Sequence, residues 1–270
     1  MGALDRTVAA AGEHATAFLL AAEAPERDGF LQTVHPAVKL LGVLVLLVVA
    51  VTTDSLRFLG GMGVLVAALA AVSGLSLRRV AGRVALPTTT ALVVVAPQTV
   101  LLEGPAAASV SFGFAGTLTL TGSGLAYVAT FTLRVGVCVA ALSVLLLTTR
   151  FSVLVGALGR LGAPTVAVTL LSITYRYLLV FFRELTRMAR ARRSRTIRRG
   201  SLRGSWRRSG SFLGTFLLRS FERGERVGRS VRARGGTVRR PPSRAGAFGT
   251  ADAAFGAVVA AVVVLRVTVA

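Results

Sequence analysis

The chain has 270 residues, of which 53% are hydrophobic and only 16% charged. That balance excludes an ordinary soluble domain of this length. The net charge is +21 and nearly all of it is arginine, with Lys39 the sole lysine; Cys138 is the sole cysteine, so no intrachain disulfide can form.

Residues 1–34 carry Asp5, Glu13, Glu23, Glu26 and Asp28 ahead of any long apolar run. They read as a cytoplasmic N-terminal segment with at most a helix, not as a cleavable signal peptide. The first apolar run is Val38–Thr53, with Lys39 near its start, and a turn containing Asp54, Ser55 and Arg57 follows. The second run is Phe58–Leu75. A basic loop with Arg78, Arg79 and Arg83 leads into a third run, Val84–Leu102, which contains Pro87 and Pro97. Membrane helices tolerate such prolines because neighbours re-satisfy the freed backbone groups. Glu103–Gly124 is rich in Gly, Ser, Thr and Ala, lacks basic residues, and reads as a loop or short hairpin. The fourth run is Leu125–Thr149, with Arg134 in its first half, and the last is Ala245–Val269, with Asp252 near its start and Arg266 near its end. Each approaches the roughly 20 apolar residues that a bilayer crossing needs.

Between the last two runs the composition changes. Arg183–Arg240 holds 19 Arg against Glu184, Glu222 and Glu225, a net of +16. Phe212, Leu213, Phe216, Leu217 and Phe221 recur there at helical spacing among Arg219, Arg223 and Arg226, the pattern of an amphipathic helix. Gly200, Gly204, Gly210 and Gly235-Gly236 punctuate the stretch into two or three helices. Arginine-rich loops stay cytoplasmic, which puts the N-terminus and this module inside and Glu103–Gly124 outside. Pro164–Phe182 is apolar but mixed with Thr165, Thr169, Ser172, Thr174, Tyr175, Arg176 and Tyr177. A single crossing there would place the +16 segment outside, so the expectation is an interfacial helix and five spans. Six arise if a segment such as Ser211–Phe221 pairs with it.

A basic module of this kind can hold anionic lipid, at about 1 kcal/mol per basic residue near the headgroups. It can dock an acidic protein through the bidentate arginine fork. Nucleic acid fits poorly, because spans flank the module and exposed aromatics do not interleave it. Arg134 and Asp252 are the intramembrane polar candidates; Arg134 either pairs with an acid across the bundle or snorkels, and Asp252 is expected near the interface. Glu184 is expected to pair with Arg187 along its helix. Two His, one Cys and 11 scattered acids assemble neither a metal cluster nor an acid–base pair. Lys39 has no glycine-rich loop before it, so a phosphate-binding P-loop is missing.

Several ordered stretches resemble the transmembrane T component of energy-coupling factor (ECF) transporters, of the CbiQ/EcfT type. His35-Pro36-Ala37-Val38-Lys39-Leu40 resembles the family's Asp-Pro-x-x-Lys-Leu, with His for Asp. Leu133-Arg134-Val135, Thr148-Thr149, the Leu161-Gly162-Ala163-Pro164 turn and Tyr175-Arg176-Tyr177 followed by Glu184 continue the series. The family's two Ala-Arg-Gly-type motifs correspond to Ala233-Arg234-Gly235, as written, and to Ser194-Arg195-Thr196, with Ala191-Arg192-Arg193 as the competing register. The resemblance implies an all-α polytopic membrane protein of about five transmembrane helices plus an Arg-rich cytoplasmic module of coupling helices. Its parts would be 1–34, a cytoplasmic segment; 35–150, four membrane helices; 151–240, the coupling module; and 241–270, a C-terminal membrane helix. It implies a non-ATPase subunit in the cell membrane with no cofactor or metal of its own. Two ATP-binding-cassette subunits would grip Arg195 and Arg234, and a separate substrate-binding membrane subunit would select cobalt, nickel or a vitamin. The competing reading is a membrane-anchored basic protein whose module binds anionic lipid or nucleic acid electrostatically.

Overall fold

The computed structural model describes residues 29–101, 106–112, 116–195, 202–235 and 248–269. Within these the chain is helical apart from one hairpin. It divides into two units, Ala24–Ala157 with Arg244–Ala270, and Leu158–Ser243 with Met1–Glu23.

In the larger unit, α1 (Phe30–Thr33) is a single turn and α2 is Pro36–Thr52. Pro36 occupies the first helical position, where its missing N–H costs nothing, and His35 caps the helix by accepting the Ala37 N–H at Nδ1, 3.2 Å away. A short turn leads to α3 (Leu56–Val72). Its end is fixed to α1, because the Ser73 hydroxyl accepts from Leu31 N–H and the Ser73 carbonyl from the Gln32 amide. α4 is Leu77–Val95, α5 Gln98–Leu101, α6 Gly122–Thr148 and α10 Thr250–Val269. Between α5 and α6, β1 (Ala106–Phe112) and β2 (Gly116–Thr121) pair antiparallel, with Ser109 opposite Thr119 and Phe112 opposite Gly116. This realises the hairpin that the Gly/Ser/Thr-rich stretch offered as one of two readings.

The third apolar run corresponds to a helix that starts earlier than the sequence suggested. Ser76 accepts the N–H groups of Arg79 and Val80 through its carbonyl, so Arg78, Arg79 and Arg83 lie in the first turns of α4 and not in a loop. Arginine is a good helix former, and here Arg78 and Arg79 are exposed and Arg83 half-buried while Val80 is buried. The helix runs through Pro87 but stops at Val95 and not Leu102, giving way to a turn at Ala96-Pro97.

The core of this unit is made by Leu46, Leu59, Met62, Val66, Ala70, Val137, Ala141, Val144 and Phe255, all buried. α2 and α10 approach so closely at Gly42 that a β-carbon there would lie 2.4 Å from Phe255 Cε1. Outside this core the apolar side chains face away from the protein: Leu44, Val48 and Val51 on α2, Val64 and Val72 on α3, Leu86, Val93 and Val94 on α4, and Val264 and Val267 on α10 are exposed. So continuous an apolar exterior belongs in lipid. Gly122–Thr148, Thr165–Arg192 and Thr250–Thr268 are long and apolar enough to cross a membrane; α2 and α3 are shorter apolar helices of 17 residues each, at the lower limit for a crossing.

α7 (Phe151–Arg160) runs across the division between the units. Its end explains the Leu161-Gly162-Ala163-Pro164 stretch. Gly162 takes φ +94, a left-handed conformation that only glycine enters cheaply, and the Ala163 N–H closes back on the Leu158 carbonyl at 3.1 Å. Pro164 then blocks continuation, and α8 (Thr165–Ser194) begins. α9 is Leu202–Ala233. It runs unbroken through Gly204, Gly210, Gly214, Gly224 and Gly228, so glycine does not divide it; Gly235, at φ +95, ends it.

Candidate functional site

α8 and α9 form an antiparallel hairpin held by side chains. Arg192 stacks over Phe212 at 5.5 Å, Glu184 accepts from Arg219 at 3.1 Å, Phe181 meets Phe216 edge to face at 6.0 Å, and Arg223 lies 6.0 Å over Tyr177. Residue numbers rise along one helix as they fall along the other. Phe212 and Phe216, with Ser220 and Arg223, therefore make the face turned toward α8, while Leu213, Leu217, Leu218 and Phe221 are exposed. Half-buried Glu184 pairs with Arg187 on its own helix as the spacing predicted, and also with Arg219 across the hairpin.

The two arginine motifs lie at the C-terminal tips of these helices. Ser194 is the last residue of α8 and Arg195 turns outward beyond it, both exposed. Ala233 ends α9, and exposed Arg234 and Gly235 continue in a turn whose N–H groups close on the Val231 and Arg232 carbonyls. Because the hairpin is antiparallel, the tips point to opposite ends. Counting outward from the Tyr177–Arg223 contact, straight helices at about 1.5 Å per residue would separate Arg195 from Arg234 by up to about 43 Å. In the competing register Arg192 is half-buried on Phe212 and so engaged inside the hairpin, whereas Arg195 is presented outward. Thr196 and the side chain of Arg193 lie outside the described residues, as do residues 1–28.

The second constellation closes one end of the membrane bundle. Lys39, 2% exposed, donates to the Thr149 hydroxyl at 2.8 Å. Asp252, 7% exposed, accepts the Gly249 N–H at 2.7 Å with one oxygen and the His35 N–H with the other. The two family-like stretches at 35–40 and 148–149 are thus brought into direct contact. Histidine substitutes for aspartate at position 35 without loss of the cap, since Nδ1 supplies the acceptor that a carboxylate would. Asp252 is buried and tied to α2, more enclosed than an interfacial position required. At the other end Arg134 donates to the Thr53 carbonyl at 2.8 Å and pairs with exposed Asp54 at 2.7 Å, and Arg266 donates to the Thr52 carbonyl. Cations therefore sit at helix C-termini and an anion at two helix N-termini, as the helix dipole favours. Lys39 was legible in the sequence only as a motif residue, and its partner, 110 positions away, was not.

These contacts also set helix directions. α2 and α10 start at the same end, and α6 finishes there. The chain between Thr149 and Gly249 accordingly leaves and returns at one end of the bundle.

The described residues define an all-α, polytopic membrane protein that carries a long basic helical hairpin between two of its apolar helices. Residues 28–243 match the CbiQ cobalt transport protein family, and the chain belongs to it, with the CbiQ/EcfT-type T components of ECF transporters. The match ends before α10. An uncharacterized protein of Methanocaldococcus jannaschii is 31% identical over 108 residues, which is 40% of this chain and 37% of that protein.

Proposed function

We propose that the chain is the coupling subunit of an ECF-type importer, passing ATP-driven motion of two ATP-binding-cassette subunits to a separate substrate-binding membrane subunit. The observation that carries this is the pair of exposed arginine tips at opposite ends of one braced hairpin. One partner would need its contacts close together; tips this far apart suit two partners. Arg195 and Arg234, each projecting from a helix C-terminus, would enter acidic grooves as bidentate donors. The exposed apolar residues of α9 and of the membrane helices would hold the substrate-binding subunit. The family's description makes cobalt the first substrate to test, with nickel and vitamins next.

The arrangement also supports a cytoplasmic hairpin. The stretch between Thr149 and Gly249 starts and ends on one side, so it crosses an even number of times or not at all. α8 is long and apolar enough to cross, but α9 has arginines on both sides of a short arginine-free stretch, 209–218, and no other helix of the hairpin segment among the described residues offers a return. An interfacial α8 with the arginines inside satisfies both this closure and the positive-inside rule.

Co-purification in detergent with candidate ATPase subunits tests the reading, using wild type, Arg195→Glu, Arg234→Glu and the exposed control Arg207→Glu. Loss of the complex in the first two alone supports specific coupling and fixes the register at Ser194-Arg195-Thr196. Equal weakening in all three, abolished by salt, would favour the competing electrostatic anchor. No association of the wild type would overturn the assignment.

A further inference from the structure

We infer that the first turn of α2, residues His35–Lys39, is the junction through which movement of the hairpin segment enters the membrane bundle, with Asp252 as its positioning residue. This rests on the coupling role proposed above.

The chain leaves the bundle at Thr149 and returns at Gly249, and both points are tied to the same five residues. On the way out, Lys39 holds the Thr149 hydroxyl. The Arg150 carbonyl immediately accepts the Val153 and Leu154 N–H groups at 3.0 and 3.1 Å, so α7 starts without slack after the tether. On the way back, Asp252 joins Gly249 to His35. Capping α10 requires only the oxygen that accepts from Gly249; the second oxygen reaches a different helix. His35, Lys39 and Asp252 are all buried, where charge-assisted hydrogen bonds are shielded from competing water and hold firmly. Displacement of Thr149 or of Gly249 is thus delivered to one turn of α2. α2 carries it over about 25 Å of helix to Thr52 and Thr53, where Arg266 and Arg134 grip the carbonyls.

The test is hydrogen exchange on the full chain assembled with its ATPase and substrate-binding subunits, with and without a non-hydrolysable ATP analogue. Wild type should show a nucleotide-dependent change in exchange at residues 37–41 and 249–253. Asp252→Asn keeps one acceptor, so the chain folds, but its amide group cannot accept the second N–H. Basal exchange of the α2 turn should rise about tenfold, and its nucleotide response should vanish while the response of α8 and α9 persists. Arg266→Met, which cuts a tether at the far end of α2, should leave the response at 37–41 intact. A purely structural Asp252 would raise exchange equally in both nucleotide states and keep the difference between them, which would overturn the inference. So would a wild-type complex with no response at 37–41. Failure of the wild-type complex to assemble would instead sink the coupling role and the junction together.

Discussion

Gly42→Ala is the sharpest probe of how α2 and α10 fit. The new methyl would sit 2.4 Å from Phe255 Cε1, 3.0 Å from its Cζ and 3.2 Å from Val259 Cγ2. Ordinary carbon contacts lie near 3.5–4.0 Å, so the helices must part by about 1 Å or the ring must turn. Phe255 is 0% exposed, and only the small cavity it lines with Val43, Leu46 and Val144 offers its ring room to turn. Overpacking of this kind costs about 1–3 kcal/mol, against a gain of up to about 1 kcal/mol for replacing glycine inside a helix. The balance is a loss of up to about 2 kcal/mol, which at about 2–4 °C per kcal/mol lowers Tm by several degrees. Phe255→Leu removes the offending ring atoms, so in a double-mutant cycle Gly42→Ala should become neutral or stabilising, with a coupling of about 1 kcal/mol or more. Thermal unfolding in detergent of the four proteins reads this directly. A raised Tm for Gly42→Ala alone, or additivity in the cycle, would refute close packing of α2 on α10.

Gly235→Val places a β-branched residue at φ +95 and should fray the end of α9 by about 1–2 kcal/mol, seen as faster exchange at 231–234 with global Tm nearly unchanged. Glu184→Gln weakens both its contact with Arg187 and the cross-hairpin bond to Arg219; a loss of about 1–2 kcal/mol should broaden spin-label distances between α8 and α9, whereas Glu222→Gln, whose pair with Arg226 is 3.8 Å long and exposed, should not. Asp54→Asn should cost under about 1 kcal/mol because Asp54 is 94% exposed, while Arg134→Met, which leaves the Thr53 carbonyl unpaired, should cost about 1–3 kcal/mol; paired denaturation curves compare them.

The membrane helices were readable because apolar runs report their own burial in lipid. α4 was misjudged at both ends for a related reason: a run-based reading stops at Arg83 and passes through Pro97, but the helix admits outward arginines, runs on through Pro87 and ends before Pro97. The amphipathic pattern at Phe212, Phe216 and Phe221 announced α9, and hydrophobic spacing could not say which apolar residues would meet α8 and which would remain exposed. Phe212 and Phe216 turn inward because Phe181 and Arg192 await them. Asp252 was visible as a charge near a span, yet its partner is a backbone N–H 217 residues away, and a backbone group leaves no trace in side-chain pattern. Sequence favoured Ser194-Arg195-Thr196 for the first arginine motif and left Ala191-Arg192-Arg193 as its competitor. They differ in space: Arg192 lies over the Phe212 ring, while Arg195 is exposed.

The antiparallel hairpin has one more consequence. Two similar tips on antiparallel helices are related by an approximate two-fold axis through the Phe181–Phe216 contact. A closed dimer of like subunits has the same symmetry, so one folded chain, with no duplicate of itself, can meet such a dimer symmetrically at two places. The match is imperfect, since Ser194 precedes Arg195 where Ala233 precedes Arg234 on the other arm. In the coupling role proposed above, even identical partners would occupy inequivalent seats, and a nucleotide event at one would pull differently from the same event at the other.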